Sequence, residues 1–156
     1  MQKAFLILCL CAGFYEAHGY WKDHQANRAA AEFLAKHPLS LNSPPTKAGF
    51  VRVMMPDGVN PNVMTVLTPC GCPMEAGVRG SELVAKLKAA GVPVVASSQV
   101  SIKFMATNAA DARNMRAQLD RLSTVMQGPT PIVLYQGRAK NNPNIEDVLQ
   151  EYASAK

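Results

Sequence analysis

Apolar and polar positions along this chain alternate with two different periods, and the periods mark out its elements. Residues 21–37 carry Ala26, Ala30, Phe33 and Leu34 at helical spacing with Pro38 just beyond, so a helix is expected there. Ser40 to Gly49 contains Ser43-Pro44-Pro45 and reads as a linker. Phe50 to Met55 reads as a strand, stopped by Pro56-Asp57-Gly58, and Asn60-Pro61-Asn62 is a further turn. Val63 to Leu67 holds no charge, which predicts a strand in the middle of a sheet. Beyond Thr68-Pro69-Cys70-Gly71-Cys72-Pro73 a helix is expected to about Ala90, with Leu83, Val84 and Leu87 on one face. Gly77 and Gly80 weaken its first half and Gly91 is its stop signal. Val92 to Phe104 is β-rich, with a break near Ser97-Ser98. Residues 108–126 give the clearest helix: Ala112, Met115, Leu119, Leu122 and Met126 step by threes and fours, and the charged residues lie off that stripe. Gly128-Pro129-Thr130-Pro131 breaks it. Ile132 to Tyr135 is a strand, Gln136-Gly137 a turn and Arg138 to Lys140 a partner strand. Pro143 is expected to open a last helix on which Ile145, Val148, Leu149 and Tyr152 align.

From residue 50 the order is thus β, β, α, β, α, β, β, α. Strands alternating with helices predict an α/β fold, a central mixed sheet with helices on both faces, preceded by an N-terminal helix. The length, 156 residues, suits a single domain with a real core. Apolar residues at 48% against 17% charged exclude a disordered chain. The net charge of +5 is spread without a like-charged run, so no nucleic-acid surface is expected. No glycine-rich phosphate loop, His-Glu-x-x-His or serine elbow occurs, so no nucleotide and no cofactor are expected either.

The N-terminus changes the picture. Lys3 precedes the apolar run Ala4–Phe14, and Ala17-His18-Gly19 places small residues where an exporting peptidase reads. As a helix the run rises about 16 Å, short of the ~30 Å needed to span a hydrocarbon core. Residues 1–19 are therefore expected to be a signal peptide, the alternatives being an uncleaved membrane anchor or a buried first helix. Residues 20–48 would then form an N-terminal helix and linker and residues 49–156 the folded domain, periplasmic or secreted. Cys9 and Cys11 would leave with the signal, so two of the chain's four cysteines remain, Cys70 and Cys72. The loop they close is too short to staple a fold by removing chain entropy.

Their position gives them chemistry. They stand where an apolar strand ends and a helix begins. A helix N-terminus carries unpaired N–H groups and about half a positive charge, which stabilises a thiolate. The thiolate is the form that attacks disulfides, and a neighbouring thiol can displace the mixed disulfide. Two other readings of the same pair stay open: an inert pair on a scaffold, and a two-thiolate site for a soft ion such as Cu(I).

The chain here resembles the thioredoxin superfamily over roughly residues 50–152. The strand Val63–Leu67 leads into Cys70-Gly71-Cys72-Pro73. Thr130-Pro131 before Ile132–Tyr135 is similar to the family's cis-proline and the strand after it. Gln136-Gly137-Arg138 and a closing amphipathic helix follow. Threonine before that proline is closer to the bacterial periplasmic disulfide oxidases and isomerases than to cytosolic thioredoxins. The chain departs from the family in having one residue between the cysteines and Pro69 in place of a tryptophan. It also has no acid in Val63–Leu67 and no linked dimerisation domain.

The resemblance implies a thioredoxin-like fold. Cys70 would be the attacking thiol and Cys72 the resolving one, with Thr130 and Pro131 facing them. The partners implied are protein thiols and disulfides and a redox partner. The alternatives are a non-catalytic thioredoxin-fold subunit of an envelope, secretion or conjugation complex, and a Cu(I) metallochaperone.

Overall fold

The computed structural model describes Trp21, Gln25, Arg28, Glu32 and residues 43–68, 75–102 and 109–155. The elements are β1 (Val51–Arg52), β2 (Met64–Leu67), α1 (Glu75–Ala89), β3 (Val94–Ser97), α2 (Ala109–Met126), β4 (Ile132–Tyr135), β5 (Arg138–Asn141) and α3 (Ile145–Ser154). The five strands form one mixed sheet in the order β1-β5-β4-β2-β3. β2 and β3 run parallel with Met64 opposite Val94 and Leu67 opposite Ser97, joined across by α1. β4 is antiparallel to β2, with Leu67 opposite Ile132, and β4 and β5 form a hairpin. The fold is therefore α/β, as the element order predicts.

Period-two alternation sends successive side chains of the central strands to opposite faces. Met64 and Val66 of β2 and Val133 and Tyr135 of β4 meet Leu83, Val84 and Leu87 of α1 and Val148 of α3. Leu67, Ile132 and Leu134 instead meet Leu122 of α2, together with Val53 and Ala139. Helices thus cover both faces, α1 and α3 on one and α2 on the other. Fully buried Phe50, Met64, Leu87, Leu122 and Leu134 each contribute about 1.5–3 kcal/mol relative to exposure. No helix among the described residues is long and apolar enough to cross a membrane.

Local signals account for the boundaries. Gly91, at φ 73°, closes α1: its N–H donates to Lys88 O (3.0 Å) and the Val92 N–H reaches back to Leu87 O (3.0 Å), with Val92 and Leu87 both buried. The β4–β5 turn has positive φ at both Gln136 (45°) and Gly137 (70°), whose twist matches that of the strands it joins.

Four details differ from the sequence expectation. The first strand is only Val51–Arg52, because β5 turns away at Gly137 after pairing with it; the Val53 N–H still donates to Gly137 O (2.9 Å), and Val53 to Pro56 continue buried but without a ladder. The last helix opens at Asn144, not Pro143. Asn144 caps it by accepting from the Asp147 N–H (2.7 Å), while Asp147 accepts from the Asn144 N–H (3.2 Å). On α2 the inward line passes through Gln118 and Leu122, leaving Met115 and Leu119 only half-buried. The stretch read as linker is docked from Thr46: its N–H donates to Phe50 O (2.9 Å), its hydroxyl bonds Glu151, and Ala48 is buried. Of the expected N-terminal helix, Trp21, Gln25, Arg28 and Glu32 are helical and exposed.

Candidate functional site

Cys70 and Cys72 lie outside the described residues, as do residues 1–19. The frame around the segment that carries the cysteines is described on both sides. β2 ends at Leu67, and the Thr68 N–H donates to Ser97 O (2.9 Å), which ties the exit of β2 to the end of β3. α1 begins at Glu75, and its acidic first residue suits the positive end of the helix.

The Thr130–Pro131 peptide is cis, as the sequence resemblance implies. Pro131 is buried and Thr130 half-buried. The Pro131 carbonyl accepts from the Asn142 N–H (2.7 Å), so the turn into β4 is held to the end of β5. Because Ile132 lies opposite Leu67, Pro131 stands at the same end of the sheet as Thr68.

Gly80 completes the frame. It is buried on α1, and a Cβ added there would run into the Thr68 Cγ2 methyl, with Thr68 Cβ at 3.3 Å and Pro131 Cβ at 3.6 Å. The helix after the cysteines therefore packs directly on the strand end before them and on the proline, through a position that only glycine leaves open. Sequence reasoning saw Gly80 as a weak point of a helix. A mid-helix glycine on the buried face is the signal that marks this contact. Thr68 carried no signal of its own.

Two clefts flank the Thr130–Pro131 bond. On the Pro131 side a cleft of about 360 Å³ lies between α1 and the start of α3, and Arg79, Glu82, Lys86 and Glu146 line it. The Arg79 guanidinium donates to Asn142 Oδ1 (3.5 Å). On the Thr130 side a smaller cleft of about 150 Å³ is lined by apolar Leu67, Ile132, Val100 and Met126 and by polar Thr68, Ser98, Gln99 and Thr130. Among the described residues no charged side chain lines this second cleft.

The scaffold also carries a buried carboxylate and ionisable groups of shifted pKa. Glu151 is fully buried, accepts from the Arg138 guanidinium (2.6 Å) and takes the Thr46 hydroxyl (2.6 Å). Arg52 lies opposite Arg138 in the β1–β5 pair. Its pKa is lowered, first by burial and then by the Arg138 charge. Burial, and then the neighbouring Tyr152, raises the pKa of Tyr135, whose ring centroid is 5.7 Å from that of Tyr152. The Asp147 carboxyl is held below its ordinary range, chiefly by a hydrogen bond from Lys140 at 2.8 Å. Among the described residues no cluster of His, Cys, Asp and Glu is arranged to hold a metal ion.

Comparison with protein-family models, with curated proteins and with solved structures returns no match for this chain.

Proposed function

We propose that this chain is an exported thiol–disulfide oxidoreductase of thioredoxin fold that acts on protein cysteines through Cys70 and Cys72. One observation carries the reading. Thr68 at the end of β2, Gly80 on α1 and Pro131 before β4 converge at the end of the sheet from which the Cys70-Gly71-Cys72 segment departs. The connections agree with it: a parallel β2–α1–β3 unit, then α2, an antiparallel β4–β5 hairpin and α3, in the strand order β5-β4-β2-β3. The signal-peptide layout of residues 1–19 supports the exported setting.

In the proposed reaction the Cys70 thiolate attacks one sulfur of a client disulfide. An S–S bond forms between Cys70 and that sulfur, and the other client sulfur leaves as a thiolate. The Cys72 thiolate then attacks Cys70, the mixed disulfide breaks, and the second client sulfur leaves. The client gains two electrons and two protons, and the Cys70–Cys72 pair becomes the disulfide. The reverse sequence oxidises a client dithiol. The Thr130–Pro131 turn forms the wall beside the reacting sulfurs.

Thiol titration before and after dithiothreitol, together with insulin reduction and refolding of scrambled ribonuclease, tests the reading. The expected result is a pair that cycles, iodoacetamide labelling of Cys70 ahead of Cys72 near pH 7, and client mixed disulfides trapped by Cys72→Ser. A pair that neither cycles nor traps clients would overturn the reading in favour of a non-catalytic subunit. Stoichiometric copper on the purified protein would favour the metallochaperone.

A further inference from the structure

The sheet ends at β3, and among the described residues no strand lies beyond it. The pairing with β2 settles which backbone groups of β3 face outward. The Met64 N–H donates to Pro93 O and the Thr68 N–H to Ser97 O (each 2.9 Å), with Thr65 opposite Val95. In a ladder of this kind alternate residues bond to opposite sides, so Pro93, Val95 and Ser97 serve β2. The N–H and C=O groups of Val94 and Ala96 therefore point outward in the plane of the sheet. Pro93 blunts nothing, because the N–H it lacks would have faced the β2 side. Natural edges are protected by lysine, by inward-pointing charges or by bulges. Here Gly91 to Ile102 contains no ionisable side chain. Val95 is 48% exposed and Ile102 38%, two of the four exposed large apolar residues among those described.

We infer that β3 pairs antiparallel with β3 of a second copy of this chain, across a two-fold axis at Val95. The register follows from the backbone. Antiparallel residues that exchange both hydrogen bonds must both point outward. Setting Val94 opposite Ala96 of the second copy, and Ala96 opposite its Val94, meets that condition twice and maps onto itself under the two-fold. The outward N–H and C=O groups of both residues are then all paired. Val95 faces Val95 of the second copy in a non-hydrogen-bonded pair, where Cα atoms approach to about 4.5 Å and side chains are closest. Two half-exposed valines cover each other there. A groove of about 720 Å³ beside Val95, on the face shared with Thr65, leaves space for the second valine. Charge points to the same occupant. A second copy carries the same +5, so a self-contact is favoured where neither copy brings a charge, as along Gly91 to Ile102. The contact is small against the about 1,200–2,000 Å² of a stable interface, so the dimer forms only at high concentration.

The inference is independent of the proposed thiol–disulfide activity, and its test removes that chemistry. The full chain, with Cys9, Cys11, Cys70 and Cys72 replaced by serine, is followed by sedimentation equilibrium and amide hydrogen exchange. Its mass is expected to rise from one copy towards two between about 10 μM and about 1 mM, the weak range of a small interface. Protection of the Val94 and Ala96 amides should rise with it. Val95→Lys sets like charges face to face and removes the apolar pair, so association should weaken about tenfold or more. Because Val95 is half exposed, the urea midpoint of that variant should stay unchanged. In the same background, Val95→Cys with oxidised glutathione should form an interchain disulfide at least about tenfold faster than Val78→Cys, since pairing raises the effective thiol concentration. Val78, on α1, is a comparably exposed valine at 52%. A mass of one copy at the highest concentration overturns the inference. So does association that Val95→Lys leaves unchanged, or a Val95→Cys disulfide no faster than that of Val78→Cys. Protection of Val94 and Ala96 that is strong at every concentration overturns it too, because the edge is then covered by the chain's own residues.

Discussion

Replacing Gly80 with alanine tests whether α1 packs on Thr68 and Pro131 as tightly as the structure has it. Two opposing effects decide the outcome. In an exposed helix interior the change would stabilise by about 1 kcal/mol, because alanine loses less backbone entropy than glycine. Here the new methyl would overlap the Thr68 Cγ2 methyl and sit 3.3 Å from Thr68 Cβ. Thr68 is β-branched, so its side chain has few other rotamers to move into. Its backbone is held by the N–H bond to Ser97. Overpacking of this kind costs about 1–3 kcal/mol. The net expectation is a loss of about 0–2 kcal/mol, where a neutral surface glycine would have shown a gain. Urea unfolding at constant m-value reads the difference directly. The double variant with Thr68→Ser removes the clashing methyl, and in that background Gly80→Ala should become stabilising. The coupling between the two sites is then expected at about 1 kcal/mol or more, the range found for residues in contact. A full gain of about 1 kcal/mol in the wild-type background, or additive effects in the double variant, would refute the packing argument.

Three further outcomes follow from the scaffold. Glu151→Ala removes the acceptor shared by Arg138 and Thr46; because Arg138 is 32% exposed and regains water, the expected loss is about 2–4 kcal/mol rather than the upper end for a wholly buried pair, read as a lower urea midpoint. Asn144→Ala should cost about 1 kcal/mol, with amide exchange accelerating over the first turn of α3 rather than across the sheet. Asp147 has a lowered pKa, so its contribution is present above the ordinary carboxylate pKa and is lost as pH falls through the folded value. Thermal melts below about pH 4 should therefore fall less steeply in Asp147→Asn than in the wild type. An unchanged acid slope in the variant would count against that assignment.

Much of the scaffold was legible because it follows from period alone. The uncharged Val63–Leu67 became a central strand, the Leu83-Val84-Leu87 face became the inner face of α1, and Gly91 became its stop. What escaped the sequence is what depends on long-range pairing. Nothing local says that β1 must stop at Arg52, since that limit is set by the turn at Gly137 in a strand far along the chain. Glu151 falls between Val148 and Tyr152 and reads as a solvent-facing charge. Its burial becomes tolerable only once Arg138 and Thr46 are brought to it from 13 and 105 residues away. Gln118 on α2 is hidden by the same logic: hydrophobic spacing finds a stripe but not the rotation of the helix about it. At the candidate site Thr130 and Pro131 were named from resemblance, whereas Val100 and Met126 had no motif and became visible only when the fold set them side by side.

The buried carboxylate also explains why the arginine pair of the β1–β5 ladder is permitted. Arg52 and Arg138 lie directly opposite each other, an arrangement that by itself destabilises a sheet. Glu151 takes the Arg138 guanidinium at 2.6 Å, so one of the two charges is countered by a carboxylate that is itself fully buried. The same carboxylate takes the Thr46 hydroxyl, and Thr46 accepts the Phe50 N–H at 3.1 Å. One acidic group on α3 thereby fixes the entry of the chain, the edge strand β1 and the hairpin strand β5. β5 in turn donates the Asn142 N–H to Pro131 just beyond its end. The position of Pro131 is thus tied to contacts that run through β5 to Glu151. A substitution at Glu151 that leaves the protein folded should therefore alter the environment of Pro131 as well as stability.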